Sequence, residues 1–152
     1  MFVHYSTEVA VPMAEVERHL DELRSDLGSW ADVAYREGEE LRTRVGPIDG
    51  SFAKEVRMEL GIAQIHRTGL VYPISWSATG AELLFPRLNA DLHISHIGGN
   101  QTTIRLEGTY EPPMGSVGKV VDRILLRKVA DLTVKAWVDR LADALVAGNR
   151  VN

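Results

Sequence analysis

Thr102-Thr103-Ile104-Arg105-Leu106-Glu107-Gly108-Thr109-Tyr110 alternates, then runs into Glu111-Pro112-Pro113-Met114-Gly115-Ser116. Thr102, Ile104, Leu106, Gly108 and Tyr110 share one face, with Thr103, Arg105 and Glu107 on the other. Period two predicts a strand. Two prolines cannot continue a ladder, so the strand ends there. Ser116 is a fair N-cap for a following helix. Apolar residues then recur at helical spacing to about Ala147, where Gly148-Asn149 reads as a stop. About 32 residues at 1.5 Å each make a rod of roughly 48 Å.

The same stretch organises what lies on either side. Downstream, Leu125, Val129, Leu132 and Ala136 lie beside Leu126, Ala130, Thr133, Trp137 and Leu141. That apolar face is broader than a two-helix seam and suits a helix lying across a sheet. Lys119, Arg123, Arg127, Asp131, Lys135, Asp139 and Asp143 form the wet stripe, and Asp131 before Lys135 is the favourable i,i+4 order. Upstream, Gly98-Gly99-Asn100 separates the strand from a second alternating run, Asp91 to Ile97, which predicts a hairpin. Residues 79–90 make a longer connection containing the apolar Leu83-Leu84-Phe85-Pro86, expected as a rim, a lid or a plug of the core. Leu70 to Ala78 and Lys54 to Leu60 alternate as strands, with Pro73 demoting the first to an edge or a bulge. Ile62 to Arg67 adds a short strand, and Glu40 to Val45 reads as another before the turn cluster Gly46 to Ser51.

At the N-terminal side, Val3, Tyr5, Thr7, Val9 and Val11 share a strand face. Pro12 starts a helix carrying Val16, Leu20, Leu23 and Leu27, which Gly28 is expected to break. A short second helix, Ser29 to Arg36, turns Trp30, Val33 and Ala34 inward. Strands in sequence without alternating helices predict an antiparallel sheet in an α+β fold. The expected architecture is a two-layer domain, an antiparallel sheet of about six to seven strands with one long C-terminal helix packed across one face and two short helices after the first strand. It occupies residues 1–152 as a single domain.

Composition narrows the chemistry. The 152 residues are 45% apolar and 25% charged, with 17 Lys and Arg against 21 Asp and Glu and a net charge of −4. No global field draws the chain to nucleic acid or anionic lipid. The absence of cysteine excludes disulfides, thiolate catalysis and cysteine-based metal sites. No basic-then-apolar leader opens the chain and no span of about 18 apolar residues occurs, so a soluble cytoplasmic protein is expected.

The element order, Val9-Ala10-Val11-Pro12 leading from strand to helix, and the stretch from Thr103 to Gly118 entering Val121-Asp122 resemble the START-like superfamily. The match is to its helix-grip fold, shared by Bet v 1-type proteins and the bacterial polyketide cyclase/dehydrase group, and it covers nearly the whole chain. The resemblance implies a curved antiparallel sheet wrapped around the long C-terminal helix, with a cavity between them for an apolar ligand. Its members range from carriers to enzymes, so fold does not select function.

Inward positions that would line such a cavity are Val56, Met58, Tyr72, Ile74, Trp76, Ile94, His96, Ile104, Leu106 and Tyr110, facing Leu125, Val129, Leu132 and Ala136. Tyr tips in an apolar lining would orient a ligand. His93 and His96 fall on opposite strand faces and make no metal pair. His4 and His93 read as outward, and His19 lies with Glu15 on the wet helix face. Glu55 and Glu59 alternate outward with Arg57. No phosphate loop and no nucleophile elbow is present, and neither cofactor nor metal is implied.

Three functions follow as expectations. The first is binding or transport of a small hydrophobic molecule, a lipid or an aromatic, polyketide-like metabolite, without catalysis. The second is a polyketide cyclase or aromatase using Tyr72, His96 and Tyr110 for proton transfer. The third is an interaction module with a filled core. The expected partner is a small hydrophobic ligand, with no nucleic acid and no stable membrane insertion; a homodimer stays open.

Overall fold

The computed structural model describes residues 1–45, 56–78, 87–111 and 123–151. Strand β1 (Phe2–Val9) leads into α1 (Met13–Glu22) and α2 (Arg24–Val45). Strands β2 (Val56–Leu60), β3 (Gln64–His66), β4 (Gly69–Ala78), β5 (Arg87–Gly98) and β6 (Gln101–Glu111) follow, and then α3 (Arg123–Val151). The strands form one six-stranded antiparallel sheet in the order β1-β6-β5-β4-β2, with β3 also paired to β4. The architecture is the α+β fold that the alternation and the long terminal helix predict, in the helix-grip form that the resemblance implies.

Register sets the inner face. Met58, Trp76, Leu88 and Tyr110 stand in one cross-strand row; Leu60, Ile74, Ala90, Gly108 and Val3 in the next; Tyr72, Leu92, Leu106 and Tyr5 in a third. Leu88, Leu92, Ile94, Ile104 and Leu106 retain no accessible surface. Helix α3 covers this face with Val129, Ala130, Thr133, Val134, Trp137, Val138, Leu141 and Leu145, all buried. Their three- and four-residue spacing places them on one side of the helix. The Arg140 guanidinium pairs with Glu37 and ties α3 to α2.

Several elements depart from the sequence reading. Gly28 does not break a helix: the chain turns at Leu23, whose N–H reaches the His19 carbonyl at 2.9 Å, and α2 then runs through Gly28. Burial of Leu27, Ala31, Ala34 and Tyr35 outweighs the roughly 1 kcal/mol that a mid-helix glycine costs. Residues 40–45 belong to α2 and not to a strand; Leu41 and Val45 are four apart, a spacing that serves a helix equally well. Val33 is exposed.

Gly148-Asn149 does not stop α3, which continues to Val151. A Cβ at Gly148 would lie 3.2 Å from the His19 ring. That close approach explains both the glycine and the burial of His19, expected on the wet face. Pro73 is not on an edge strand, since β4 has neighbours on both sides. Its carbonyl accepts from the Gly61 N–H at 2.7 Å, so its missing N–H faces the gap between β2 and β3, where no ladder bond is lost. Strand β5 begins at Arg87, earlier than expected. The Gly46–Ser51 turn, Leu83–Pro86 and the Ser116 cap lie outside the described residues.

Candidate functional site

The helix side of the sheet gathers most of the expected lining. Val56, Tyr72, Ile74, Trp76, Ile94, Ile104, Leu106, Tyr110 and Val129 are buried there, and Met58, Leu125 and Ala136 are half-buried. Two positions fall elsewhere. Leu132 is 36% exposed, because α3 turns its Val129–Thr133–Trp137 side to the sheet. His96 is exposed too: a bulge between His96 and Gly98 interrupts the β5–β6 register, and the strand has passed the cover of the helices. His96, Tyr72 and Tyr110 therefore form no common proton-transfer site.

Around the buried lining the interior is packed. Trp137 of α3 lies with its ring centroid 5.9 Å from that of Trp76, tilted by 60°, and donates Nε1–H to the Leu27 carbonyl at 3.2 Å. One side chain thus bridges α3, the sheet and α2. Side chains beside a water-sized void would keep accessible surface, and Ile94, Ile104, Leu106 and Trp137 keep none.

An opening does exist at the rim of this layer. Arg24, Leu27 and Gly28 of α2 and Met58 and Leu60 of β2 line a crevice of about 180 Å³. A side chain at Gly28 would meet open space. Met58 is paired with Trp76 and Leu60 with Ile74, so the crevice abuts the packed inner rows. Arg24 is tied to Asp21 at 3.2 Å and remains half-exposed at the mouth. Arg24, Leu27 and Gly28 were not expected as site residues; a glycine inside an amphipathic helix beside an arginine was the available sign. Burial raises the Tyr72 hydroxyl pKa, Asp21 and Glu17 add to the shift, and Arg24 opposes it. A phenol held neutral in this way is a poor proton-transfer group near neutrality.

A polar cluster joins the free edge strand to the terminal helix. The Tyr5 hydroxyl donates to Asp139 at 2.7 Å, Lys135 also pairs with Asp139, and its ammonium lies 5.3 Å from the Tyr5 ring centroid. The ladder on α3 is thus Arg127–Asp131 and Lys135–Asp139, not the expected Asp131–Lys135. The hydrogen bond to Asp139 raises the Tyr5 pKa. Burial works against the Asp139 carboxylate, but the bonds from Lys135 and Tyr5 outweigh it and hold its pKa below the usual value. A lowered carboxylate pKa stabilises the fold above the unfolded-state pKa, and that gain is lost as pH falls through the folded one. Asp139→Asn should therefore be less stable than the parent near pH 7 and should converge with it below about pH 4. Urea midpoints across that range test this; a gap that persists in acid would contradict it.

The opposite sheet face carries a groove of about 660 Å³. Glu59, Ser75, Asn89, Asp91, Glu107 and Thr109 line it, all on the alternate that points away from α3. Glu107 is engaged by His93 at 3.1 Å and Arg105 at 3.5 Å. Among the described residues no group of three or more His, Asp or Glu side chains is placed to hold a metal ion. No described helix is long and apolar enough to cross a membrane.

No family model and no curated protein matches the chain. Solved structures do resemble it. The hypothetical protein jhp0584 of Helicobacter pylori aligns at 12% identity and a TM-score of 0.50, over 97% of this chain and 86% of that one. The protein TTHA0849 of Thermus thermophilus aligns at 18% identity and a TM-score of 0.49, over 97% and 98%. The Zhui aromatase/cyclase of a Streptomyces species aligns at 12% identity and a TM-score of 0.45, over 99% and 94%. Six antiparallel strands among the described residues, two helices after the first of them and a long terminal helix laid across the inner face make this an α+β helix-grip fold.

Proposed function

We propose that the protein binds a small apolar molecule, of the lipid or aromatic-metabolite class, on the helix side of its sheet. The crevice between α2 and β2 is the point of entry. The observation that carries this reading is that crevice: Leu27, Met58 and Leu60 supply apolar walls, Gly28 leaves room, and Arg24 stands at the mouth. Its volume of about 180 Å³ suits a single aromatic ring, since an apolar cavity of about 150 Å³ holds benzene.

Magnitudes then limit the mode of binding. Burying an aromatic group of about 150–250 Å² at about 25 cal/mol per Å² yields roughly 4–6 kcal/mol. Millimolar affinity already corresponds to about 4 kcal/mol and micromolar to about 8. A ring in the crevice alone is therefore a weak ligand. Tighter binding requires the ligand to part Met58 from Trp76 and extend between sheet and α3. A ligand with an anionic head would gain further from Arg24. The closed packing around Trp137 favours a second reading, an interaction module whose interior stays shut.

Native mass spectrometry after gentle purification separates the two. A co-purifying apolar molecule, or uptake of an added naphthyl probe, is expected. Gly28→Phe should abolish uptake by filling the crevice. Gly28→Ala should raise stability by about 0.5–1 kcal/mol in urea denaturation, because its methyl enters open space and removes a helix glycine. Failure of the parent chain to take up any apolar probe would leave the second reading in place.

A further inference from the structure

We propose that two neighbouring hairpin ends of the sheet dock the protein on an anionic lipid surface. The turn at Arg67-Thr68 joins β3 to β4, and the turn at Gly99-Asn100 joins β5 to β6. Gly69 lies opposite Ser95, and the His96 N–H donates to the Thr68 carbonyl at 3.3 Å. The two turns therefore form one rim at the same end of the sheet. Three large aliphatic side chains stand in water there or on the adjoining edge: Ile62 is 88% exposed, Ile65 89% and Ile97 49%. Ile65 occupies the inner-face register with Leu70 and Ile94, yet no described helix covers it, so its exposure reflects a sheet that outruns its described helices.

Charge selects the occupant. The chain carries 21 Asp and Glu and a net charge of −4, yet residues 61–80 and 92–106 contain neither acid. Arg67 is exposed on the rim, as are His66 and His96. An acidic protein thus presents two neighbouring hairpin turns that carry Arg67 and exposed aliphatic side chains and no acid, while Glu8 of β1 ends the Gly69–Ser95–Thr103 row two strands from β5. Anionic headgroups attract those turns and repel the remainder, which orients the molecule. The anchors are isoleucines, without the Tyr, Trp or Met that dominate the centres of protein interfaces. Strand β3 is three residues long, too short to offer a partner a ladder of backbone bonds. A few aliphatic side chains with a local positive charge make weak, reversible interfacial binding. This inference does not depend on the interior taking a ligand.

Flotation with lipid vesicles tests it. The protein should float with phosphatidylcholine/phosphatidylglycerol vesicles and much less with phosphatidylcholine alone. Exchanging Ile62 and Ile65 together for Ser should reduce vesicle binding by more than about tenfold, since both anchors are lost. Arg67→Ala or high salt should weaken it several-fold through the lost or screened charge. Both variants should keep the parent's thermal transition, because these side chains touch little of the fold. The proposal is overturned if the parent does not float with anionic vesicles or if the double variant floats as well as the parent. It is also overturned if sedimentation velocity shows the rim joining two copies in a dimer that the double variant loses.

Discussion

Trp137→Ala should destabilise the fold by about 3–5 kcal/mol, the range for deleting a large buried aromatic. The upper end is expected. The indole is fully buried, its ring meets Trp76 and its N–H serves the Leu27 carbonyl. The deletion removes burial, an aromatic pair worth about 0.5–1.5 kcal/mol and a hydrogen bond worth about 1 kcal/mol. For a chain of this length each kcal/mol moves the melting temperature by roughly 2–4 °C, so a drop of about 10 °C or more should appear in calorimetry. Trp137→Phe, which keeps most of the volume, should lose clearly less. The vacated space lies beside Trp76, next to the rows that end at the crevice. Added indole should therefore restore part of the lost stability by binding only the folded variant. A loss below about 1 kcal/mol would mean that Trp137 does not bridge the three elements.

Gly69→Ala is the second large effect. A Cβ at this position would lie 1.9 Å from the Ile94 carbonyl oxygen and 2.9 Å from its carbon. Both are backbone atoms of the neighbouring strand and cannot swing aside. The methyl must push β4 from β5 at the point where their pairing begins, opposite Ser95. The expected loss is about 3 kcal/mol or more, at the severe end for an inserted methyl group. Gly99→Ala is the informative contrast. Gly99 sits at φ +57 in the β5–β6 turn with nothing near a Cβ. There the loss is conformational alone, about 1–2 kcal/mol. Urea denaturation of the pair measures both; equal losses would show that strand approach at Gly69 carries no special constraint.

The strands and their facing were legible because one side of the sheet is buried, and burial forces period two on the sequence. The Gly98–Asn100 turn and the long terminal helix followed from local chemistry. What escaped depends on neighbours distant in sequence. Gly28 reads as a stop until Ala31, Ala34 and Tyr35 are seen packing α2 down. His96 keeps inward parity with Leu92 and Ile94, but a bulge and the end of helix cover remove it from the interior. His19 reads as wet beside Glu15 until Gly148, more than a hundred positions away, provides its seat. Leu132 continues the apolar spacing of α3 yet falls just outside the arc that meets the sheet. The crevice at Arg24, Leu27 and Gly28 was invisible for a related reason. A hollow is set by what two elements fail to fill, and no local pattern encodes that.

The pairing of β1 with β6, Val3 opposite Gly108, has a consequence for synthesis. Once made, β1 lacks this partner until about a hundred more residues exist, roughly 5–20 s at ordinary rates of elongation. Throughout that interval Val3, Val9 and Val11, all buried in the finished fold, have no sheet to join. Closing so long a loop also raises the contact order and slows folding. The apolar face of β1 is thus the part of this fold that waits longest for cover, and slow translation lengthens that wait.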